Sequence, residues 1–148
     1  MLMNMKDILE KANENNFAIP AFNISHYAMF KGIMEACEEK DAPVIIEIHP
    51  DELEHIGTEM VKAVTERAYR SRIPVCIHLD HCGDFGIIIK AIQAGFTSVM
   101  FDGSSLPFEE NIANCRKAAE AAHPVNVSVE GELGTIGSTD AEAEAGAN

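Results

Sequence analysis

Five short apolar runs alternate with helical patterns along this chain, and that alternation restricts its fold more than any other feature. The runs are continuous or β-branched and are bounded by Pro, Gly, Asn or Asp, which is typical of strands buried on both faces. The strand–helix unit repeats about every 30 residues, the length of a βαβ unit, and implies parallel strands joined by right-handed crossovers. The pattern predicts strands at residues 17–23, 44–49, 74–83, 96–103 and 125–134, and helices at residues 6–13, 28–40, 57–71, 84–94 and 107–122.

Two α/β architectures accommodate this order of elements: an open doubly wound sheet, or part of a closed eight-stranded barrel. A dinucleotide-binding open sheet would carry a G-x-G-x-x-G motif after its first strand, and this sequence has none. Polar residues instead follow every predicted strand and would meet at one rim of a barrel. We therefore predict a (β/α)8 TIM barrel. Because a complete barrel takes about 250 residues, residues 1–148 would be the N-terminal portion of one barrel domain, with only about the first five strands. The polar residues at the strand ends are Asn23, His49, Asp80 with His81, Asp102 and Glu132.

The stretch from Pro74 to Gly83 concentrates most of the candidate chemistry. Three titratable side chains, His78, Asp80 and His81, fall within four residues at the end of an apolar strand. Side chains alternate across a strand, so His78 and Asp80 should share one face, with His81 where the strand gives way to a loop. One such residue is usually a satisfied core histidine or a helix cap. Three together at the carboxyl end of a buried strand favour an active site.

Composition excludes several classes of partner. With 24 acidic against 11 basic residues the formal net charge is −13, which argues against nucleic acid because phosphate contacts need clustered Lys and Arg. No apolar run approaches the roughly 20 residues that span a bilayer, and the net charge weakens the case for anionic membranes. The four cysteines form no CxxC pair, so we expect a reduced, cytoplasmic protein without a signal peptide.

Two motifs resemble signatures of the class II, zinc-dependent fructose-bisphosphate aldolases: I-H-L-D-H-C-G at residues 77–83 and V-E-G-E-L-G-T-I-G-S at residues 129–138. Segments 18–23, 42–46 and 98–104 are also similar to that family, particularly its tagatose-bisphosphate aldolase branch. The resemblance covers nearly the whole chain in order. It implies a TIM barrel, a homodimer or homotetramer, and metal-dependent aldol cleavage or condensation. The implied substrate is a ketose 1,6-bisphosphate (fructose or tagatose), split into dihydroxyacetone phosphate and glyceraldehyde 3-phosphate.

The resemblance also implies roles for the residues of the two motifs. His81 corresponds to a ligand of the catalytic zinc, which acts as a Lewis acid on the ketone oxygen. Asp80 corresponds to the acid/base that moves the proton between the C4 hydroxyl and the aldehyde oxygen. Asp102 and Glu132 correspond to carboxylates that bind a second cation, or the zinc in an alternate position. His78 is expected to orient its neighbours through hydrogen bonds.

Further candidates come from the other strand ends and the last segment. Asn23 and His49 are candidates for substrate binding, although the Pro-Asp-Glu sequence after His49 equally fits a solvated turn. His26 follows the first strand in a similar position. Residues 135–148 are predicted to be a mobile active-site loop, and Asp140 falls near the position of the family's catalytic loop carboxylate.

Two alternative interpretations remain open. The family supplies two more zinc-binding histidines and its phosphate-binding loops from later strands, which this sequence does not contain. The chain could therefore be an inactive fragment or half-barrel that associates through its open sheet edges. Alternatively, the barrel could be an aldolase that acts on another phosphosugar.

Overall fold

The structure, a computed structural model, describes residues 1–134 and places five parallel strands in one sheet in the order in which they occur along the chain. A doubly wound sheet would reverse its strand order part-way. The unbroken order therefore confirms the choice of a barrel segment. The strands are β1 (Ala21–Asn23), β2 (Val44–Ile48), β3 (Val75–Cys82), β4 (Ser98–Phe101) and β5 (Ser128–Gly131); the helices are α1 (Met5–Asn15), α2 (Tyr27–Glu39), α3 (Pro50–Tyr69), α4 (Phe85–Ala94) and α5 (Phe108–Ala122), with a 3-10 turn at His123–Val125.

One face of the sheet is packed against the helices. The alternate residues of β2 and β3 that point to this face are fully apolar and buried, and they meet the apolar stripes of α2 to α5. Burial on this scale is the main force that holds the sheet and helices together. Representative members of the cluster are Ile46, Ile77 and Leu79 from the strands and Phe30, Met34, Val64 and Ile88 from the helices.

The opposite face of the sheet is divided between an apolar and a polar part. Near the amino ends of the strands, α1 covers it through a small buried cluster of Ile8, Ile45 and Cys76. Towards the carboxyl ends the same face carries polar side chains, because Glu47 and His78 are register neighbours and therefore point the same way. Helix α1 thus leaves only the carboxyl half of this face available for chemistry.

Helix α3 begins earlier than the sequence pattern predicts. Instead of starting near residue 57, it starts at Pro50, with His49 as its N-cap. Pro is well suited to the first helical position, and the two acidic residues that follow it favour a helix N-terminus. Gly57 has non-helical backbone angles (φ 71°, ψ 164°), so a kink interrupts the periodicity that marks the second half of the helix.

Among the described residues, no helix is both long and apolar enough to cross a membrane.

Candidate active site

A bulge in β3 brings its two last polar side chains together. The pairing between β3 and β4 shifts register between Leu79 and Cys82, and His81 has a positive φ of 48°. In a regular strand, Asp80 and His81 would point to opposite faces. Here His81 Nε2 lies 3.9 Å from Asp80 Oδ1. His81 was expected where the strand gives way to a loop. The structure has it inside β3, where the bulge turns its side chain; bulges are often found next to active sites.

His81, Asp102 and Glu132 meet at the carboxyl ends of β3, β4 and β5, and we call them the rim group. The Nδ1 atom of His81 lies 2.9 Å from Asp102 Oδ2 and 3.7 Å from Glu132 Oε2. One ligand atom from each residue lies within 4.8 Å of the others. A nitrogen and two carboxylate oxygens at this spacing fit a divalent metal such as zinc. The structure thus brings together all three residues that were predicted to bind metal.

Neighbouring polar groups fix the carboxylates of the rim group. Ser104 donates to Asp102 Oδ1 from both its backbone N–H (3.0 Å) and its hydroxyl (2.6 Å), which leaves Oδ2 for His81. The buried side chain of Asn111 donates to the backbone oxygen of Glu132 at 2.7 Å. Neither Ser104 nor Asn111 was predicted, because a short polar residue after a strand, such as Ser104, or within a helix, such as Asn111, carries no distinctive sequence signal.

The hydrogen bond between His81 and Asp102 also shifts the pKa of both side chains. The hydrogen bond that His81 donates to Asp102 raises the pKa of His81, with the charges of Asp80 and Glu132 adding to it. Burial alone would raise the pKa of Asp102, but hydrogen bonds from Ser104 and His81 outweigh it and lower that pKa. Both shifts favour an imidazolium–carboxylate pair.

A second set, which we call the sheet group, consists of Glu47, His78 and Asp80 on the polar part of the sheet face. Their ligand atoms also lie within 4.8 Å of one another. Asn23, on the neighbouring strand β1, donates from Nδ2 to Glu47 Oε2 (3.2 Å) and to Asp80 Oδ2 (3.0 Å). Asn23 was predicted to bind substrate; the structure places it as a bridge between these two carboxylates.

Burial controls the protonation of the sheet group. It raises the pKa of Glu47 to about 7, with help from the charges of Asp80 and Glu130. It also lowers the pKa of His78 to about 4, which keeps the imidazole neutral at physiological pH. No role was predicted for Glu47 or Glu130. Glu47 is a single carboxylate in the otherwise apolar strand β2, and Glu130 lies in the shorter, more polar strand β5.

The remaining candidates lie beside this site or outside the described residues. His49 and His26 are both N-caps: each accepts a backbone N–H through Nδ1, from Asp51 and Met29 respectively. His49 also lines a cleft of about 420 Å³ that reaches Asn23 and Asp80, so it is close enough to contact a ligand there. Asp140, with the whole predicted loop at residues 135–148, lies outside the described residues.

Comparison with known proteins decides the family. The family model of class II fructose-bisphosphate aldolase matches residues 3–148. The chain belongs to the class II fructose-bisphosphate aldolase family. Enzymes of this family are generally metal-dependent, in keeping with the donor atoms of the rim group. The family membership that the two sequence motifs predicted is therefore confirmed.

Individual class II aldolases match most of this chain but only half of their own length. The sulfofructosephosphate aldolase of Alkalicoccus urumqiensis is 40% identical over 136 residues, which are 91% of this chain and 47% of that protein. The fructose-bisphosphate aldolase of Mycoplasma genitalium is 42% identical over 142 residues, 93% of this chain and 49% of that protein. The chain thus spans about half the length of the relatives it matches.

A solved class II aldolase confirms the fold prediction. The crystal structure of the YdjI aldolase from Escherichia coli K12 superposes with a TM-score of 0.86 at 32% identity. The match covers 90% of this chain and 51% of that one. The structural neighbours are TIM barrels, so five sequential parallel strands correspond to about half of such a barrel.

Proposed function

We propose that the whole protein catalyses metal-dependent aldol cleavage and condensation of a ketose 1,6-bisphosphate. The products of cleavage would be dihydroxyacetone phosphate and glyceraldehyde 3-phosphate. The observation that carries this proposal is the β3 bulge, which sets the carboxylate of Asp80 beside a histidine that already contacts two further carboxylates. A proton-transfer group and a metal-ligand set are the two components that metal-assisted aldol chemistry needs.

The proposed roles divide between the rim group and Asp80. The rim group would hold zinc, which when bound supplies a Lewis acid for the ketone oxygen. In cleavage, Asp80 accepts the proton of the substrate's C4 hydroxyl as the C3–C4 bond breaks and C4 becomes an aldehyde. The electron pair of that bond passes to C3, which then takes up a proton to give dihydroxyacetone phosphate. In condensation, Asp80 returns that proton to the aldehyde oxygen. Asn23 supports this role because its amide holds Asp80 Oδ2 and leaves Oδ1 on the side of His81.

The phosphorylated ketose is the part of the substrate on which the relatives agree. One is named for fructose bisphosphate and another for sulfofructose phosphate. Fructose and tagatose 1,6-bisphosphates differ only in the configuration at C4, the carbon whose hydroxyl would lie near Asp80. We therefore propose that the cleft lined by Asn23, His49 and Asp80 distinguishes between them.

The test compares two histidine variants of the whole protein. Dihydroxyacetone phosphate release is followed from fructose and tagatose 1,6-bisphosphates, and zinc is measured in the same samples. His81→Ala should lose cleavage and most of the rim-bound zinc, whereas His123→Ala, at an exposed helix end, should behave as wild type. Unchanged cleavage and zinc content in His81→Ala would refute the proposal. A chelator should abolish wild-type cleavage, and added zinc should restore it.

A second candidate function is suggested by the sheet edge. All three residues of β1 are exposed, including 42% of Phe22, and β1 pairs only with β2 within residues 1–134. An inactive half-barrel would bury this edge by associating with another chain. Gel filtration of the 148-residue chain tests this: concentration-dependent association supports it, and a soluble monomer contradicts it.

A further inference from the structure

We propose that the sheet group, Glu47, His78 and Asp80, forms a second divalent-cation site, distinct from the rim group although it shares Asp80 with the reaction proposed above. The site lies on the polar part of the sheet face. The rim group is built at the ends of β3, β4 and β5, whereas this site is built within β2 and β3. The two groups have no residue in common, although Asp80 of the sheet group lies 3.9 Å from His81 of the rim group.

The side chain of His78 is already arranged as a metal ligand. It is 1% exposed, and Nδ1 lies 2.9 Å from the hydroxyl oxygen of Ser98. Metal-binding histidines commonly use one ring nitrogen for such a hydrogen bond, which fixes the ring and leaves the other nitrogen for the metal. Ser98 is also completely buried. Both partners of this hydrogen bond are therefore held in place by the surrounding protein.

The other nitrogen of His78 is left without a hydrogen bond. Among residues 1–134, Nε2 is buried and has no hydrogen-bond partner, although Glu130 Oε2 lies only 3.3 Å away. Leaving a buried polar atom without a partner destabilises the folded protein, because the atom has lost its hydrogen bonds to water. A cation between Nε2 and the surrounding carboxylates would remove that cost, with Glu130 available as a fourth ligand.

The carboxylates around Nε2 lack a positive partner. Glu47 and Asp80 share the single amide of Asn23, and no Lys or Arg in the described part of the chain forms a salt bridge with either one or with Glu130. Like charges that converge on a partly buried face repel one another. Either a proton or a bound cation must relieve this repulsion, and the free imidazole nitrogen favours the cation.

The donor atoms indicate which cation fits. One imidazole nitrogen with carboxylate oxygens suits zinc, cobalt or manganese, whereas magnesium and calcium prefer oxygen alone. Ligands bound at about 2.1 Å lie at most about 4.2 Å apart, so donor atoms within 4.8 Å of one another need only small side-chain rotations. Asp80 would contribute Oδ2, the oxygen on the Asn23 and Glu47 side, and keep Oδ1 towards His81.

The experiment titrates Co²⁺ into the whole protein after its metal has been removed, and uses equilibrium dialysis for stoichiometry and visible absorption for ligand geometry. His81→Ala removes a rim ligand, so the remaining equivalent reports the sheet group. We expect two Co²⁺ per wild-type chain, one in His81→Ala, and none in the His81→Ala/Glu47→Gln double variant. Glu109→Gln, an exposed charge-matched control on α5, should still bind two.

A further variant distinguishes specific coordination of Co²⁺ by His78 from non-specific binding of Co²⁺ to the carboxylates. Ser98→Ala keeps every charge but frees the His78 ring, so it should weaken Co²⁺ binding in the His81→Ala background about 10- to 100-fold. Unfolding curves of each metal-free variant confirm that it is folded. The proposal is overturned if His81→Ala binds no Co²⁺, or if Glu47→Gln and Ser98→Ala bind it as tightly as Glu109→Gln does. Loss of aldol cleavage in His81→Ala bears only on the rim group.

Discussion

The imidazole of His81 contacts the carboxylate of Asp102 across two neighbouring strands, with Nδ1 and Oδ2 2.9 Å apart. The bulge supplies one half of this contact, because it turns His81 towards β4. Ser104 supplies the other half by holding Asp102 Oδ1. The pair therefore depends on the backbone of β3 and on the loop after β4.

Replacing Asp102 with Asn should weaken metal binding at the rim group by about 10- to 100-fold. The amide keeps the size of the carboxylate but removes its charge, so it is a poorer ligand and no longer raises the pKa of His81. Zinc affinity can be measured by competition with a chromophoric chelator. Asp41→Asn, at an exposed position away from the site, should bind zinc as wild type does. Equal affinity in the two variants would contradict the assignment of Asp102.

Gly103 should tolerate no side chain, because a Cβ there would lie 2.7 Å from Asn111 Cγ and 3.0 Å from Phe101 Cε1. Asn111 holds the backbone of Glu132, so Gly103→Ala should both destabilise the fold, by about 1–3 kcal/mol, and loosen the rim group. Urea unfolding and zinc titration measure the two effects.

Gly32 provides the matched control for that substitution. It lies within α2, and a Cβ at this position would have no heavy atom within 4 Å among the described residues. Ala is favoured over Gly in a helix by about 1 kcal/mol, so Gly32→Ala should be neutral or stabilising and should leave zinc binding unchanged. If both variants were equally stable, the close contact between the added Cβ at position 103 and Asn111 would have no energetic importance.

The positive φ of His81 predicts that two substitutions which both remove the imidazole will differ in stability. Asn tolerates this left-handed conformation, whereas a β-branched residue does not. His81→Val should therefore be less stable than His81→Asn by about 1–2 kcal/mol in metal-free urea unfolding. Both should lose rim-group zinc. Equal stability of the two variants would show that the bulge relaxes when the histidine is absent.

Sequence patterns were sufficient for the fold where periodicity is continuous. The apolar runs located all five strands, and the polar residues that follow them selected the barrel over the doubly wound sheet. Patterns failed where local chemistry interrupts them. Residues 50–56 of α3 have only two apolar residues, Leu53 and Ile56, before the kink at Gly57, and their helix depends on the cap at His49 and the proline that follows it.

Site prediction from the sequence was limited by contacts between distant strands. The family motifs indicated Asp80, His81, Asp102 and Glu132, which the structure brings together, although their catalytic and metal-binding roles stay predictions. The bulge could not be predicted, because the residue with positive φ is a histidine rather than a glycine. Glu47 was overlooked because its strand is otherwise apolar, and its importance follows only from the register that places it beside His78.

A cluster of polar side chains at the carboxyl-terminal ends of α2 and α3 should contribute to acid stability. Glu38 on α2 accepts two hydrogen bonds from Arg67 on α3, at 2.8 and 2.6 Å, and a third from Ser71 at 2.6 Å. The hydrogen bonds from Arg67, then that from Ser71, lower the pKa of Glu38 from 4.5 to about 2. A carboxylate with a lowered pKa stabilises the folded state above its unfolded pKa and loses that contribution as pH falls.

The stabilisation from Glu38 should therefore be complete above about pH 4.5 and lost progressively as pH falls towards 2. Because water still reaches 22% of the Glu38 side chain and 35% of the Arg67 side chain, we expect a contribution of about 1 kcal/mol. Glu38→Gln should lower the free energy of unfolding by that amount at pH 7 and flatten its pH dependence below 4.5. Glu39→Gln, the exposed neighbour, should retain the wild-type slope. An identical slope in Glu38→Gln would mean that the bond between α2 and α3 makes no contribution to acid unfolding.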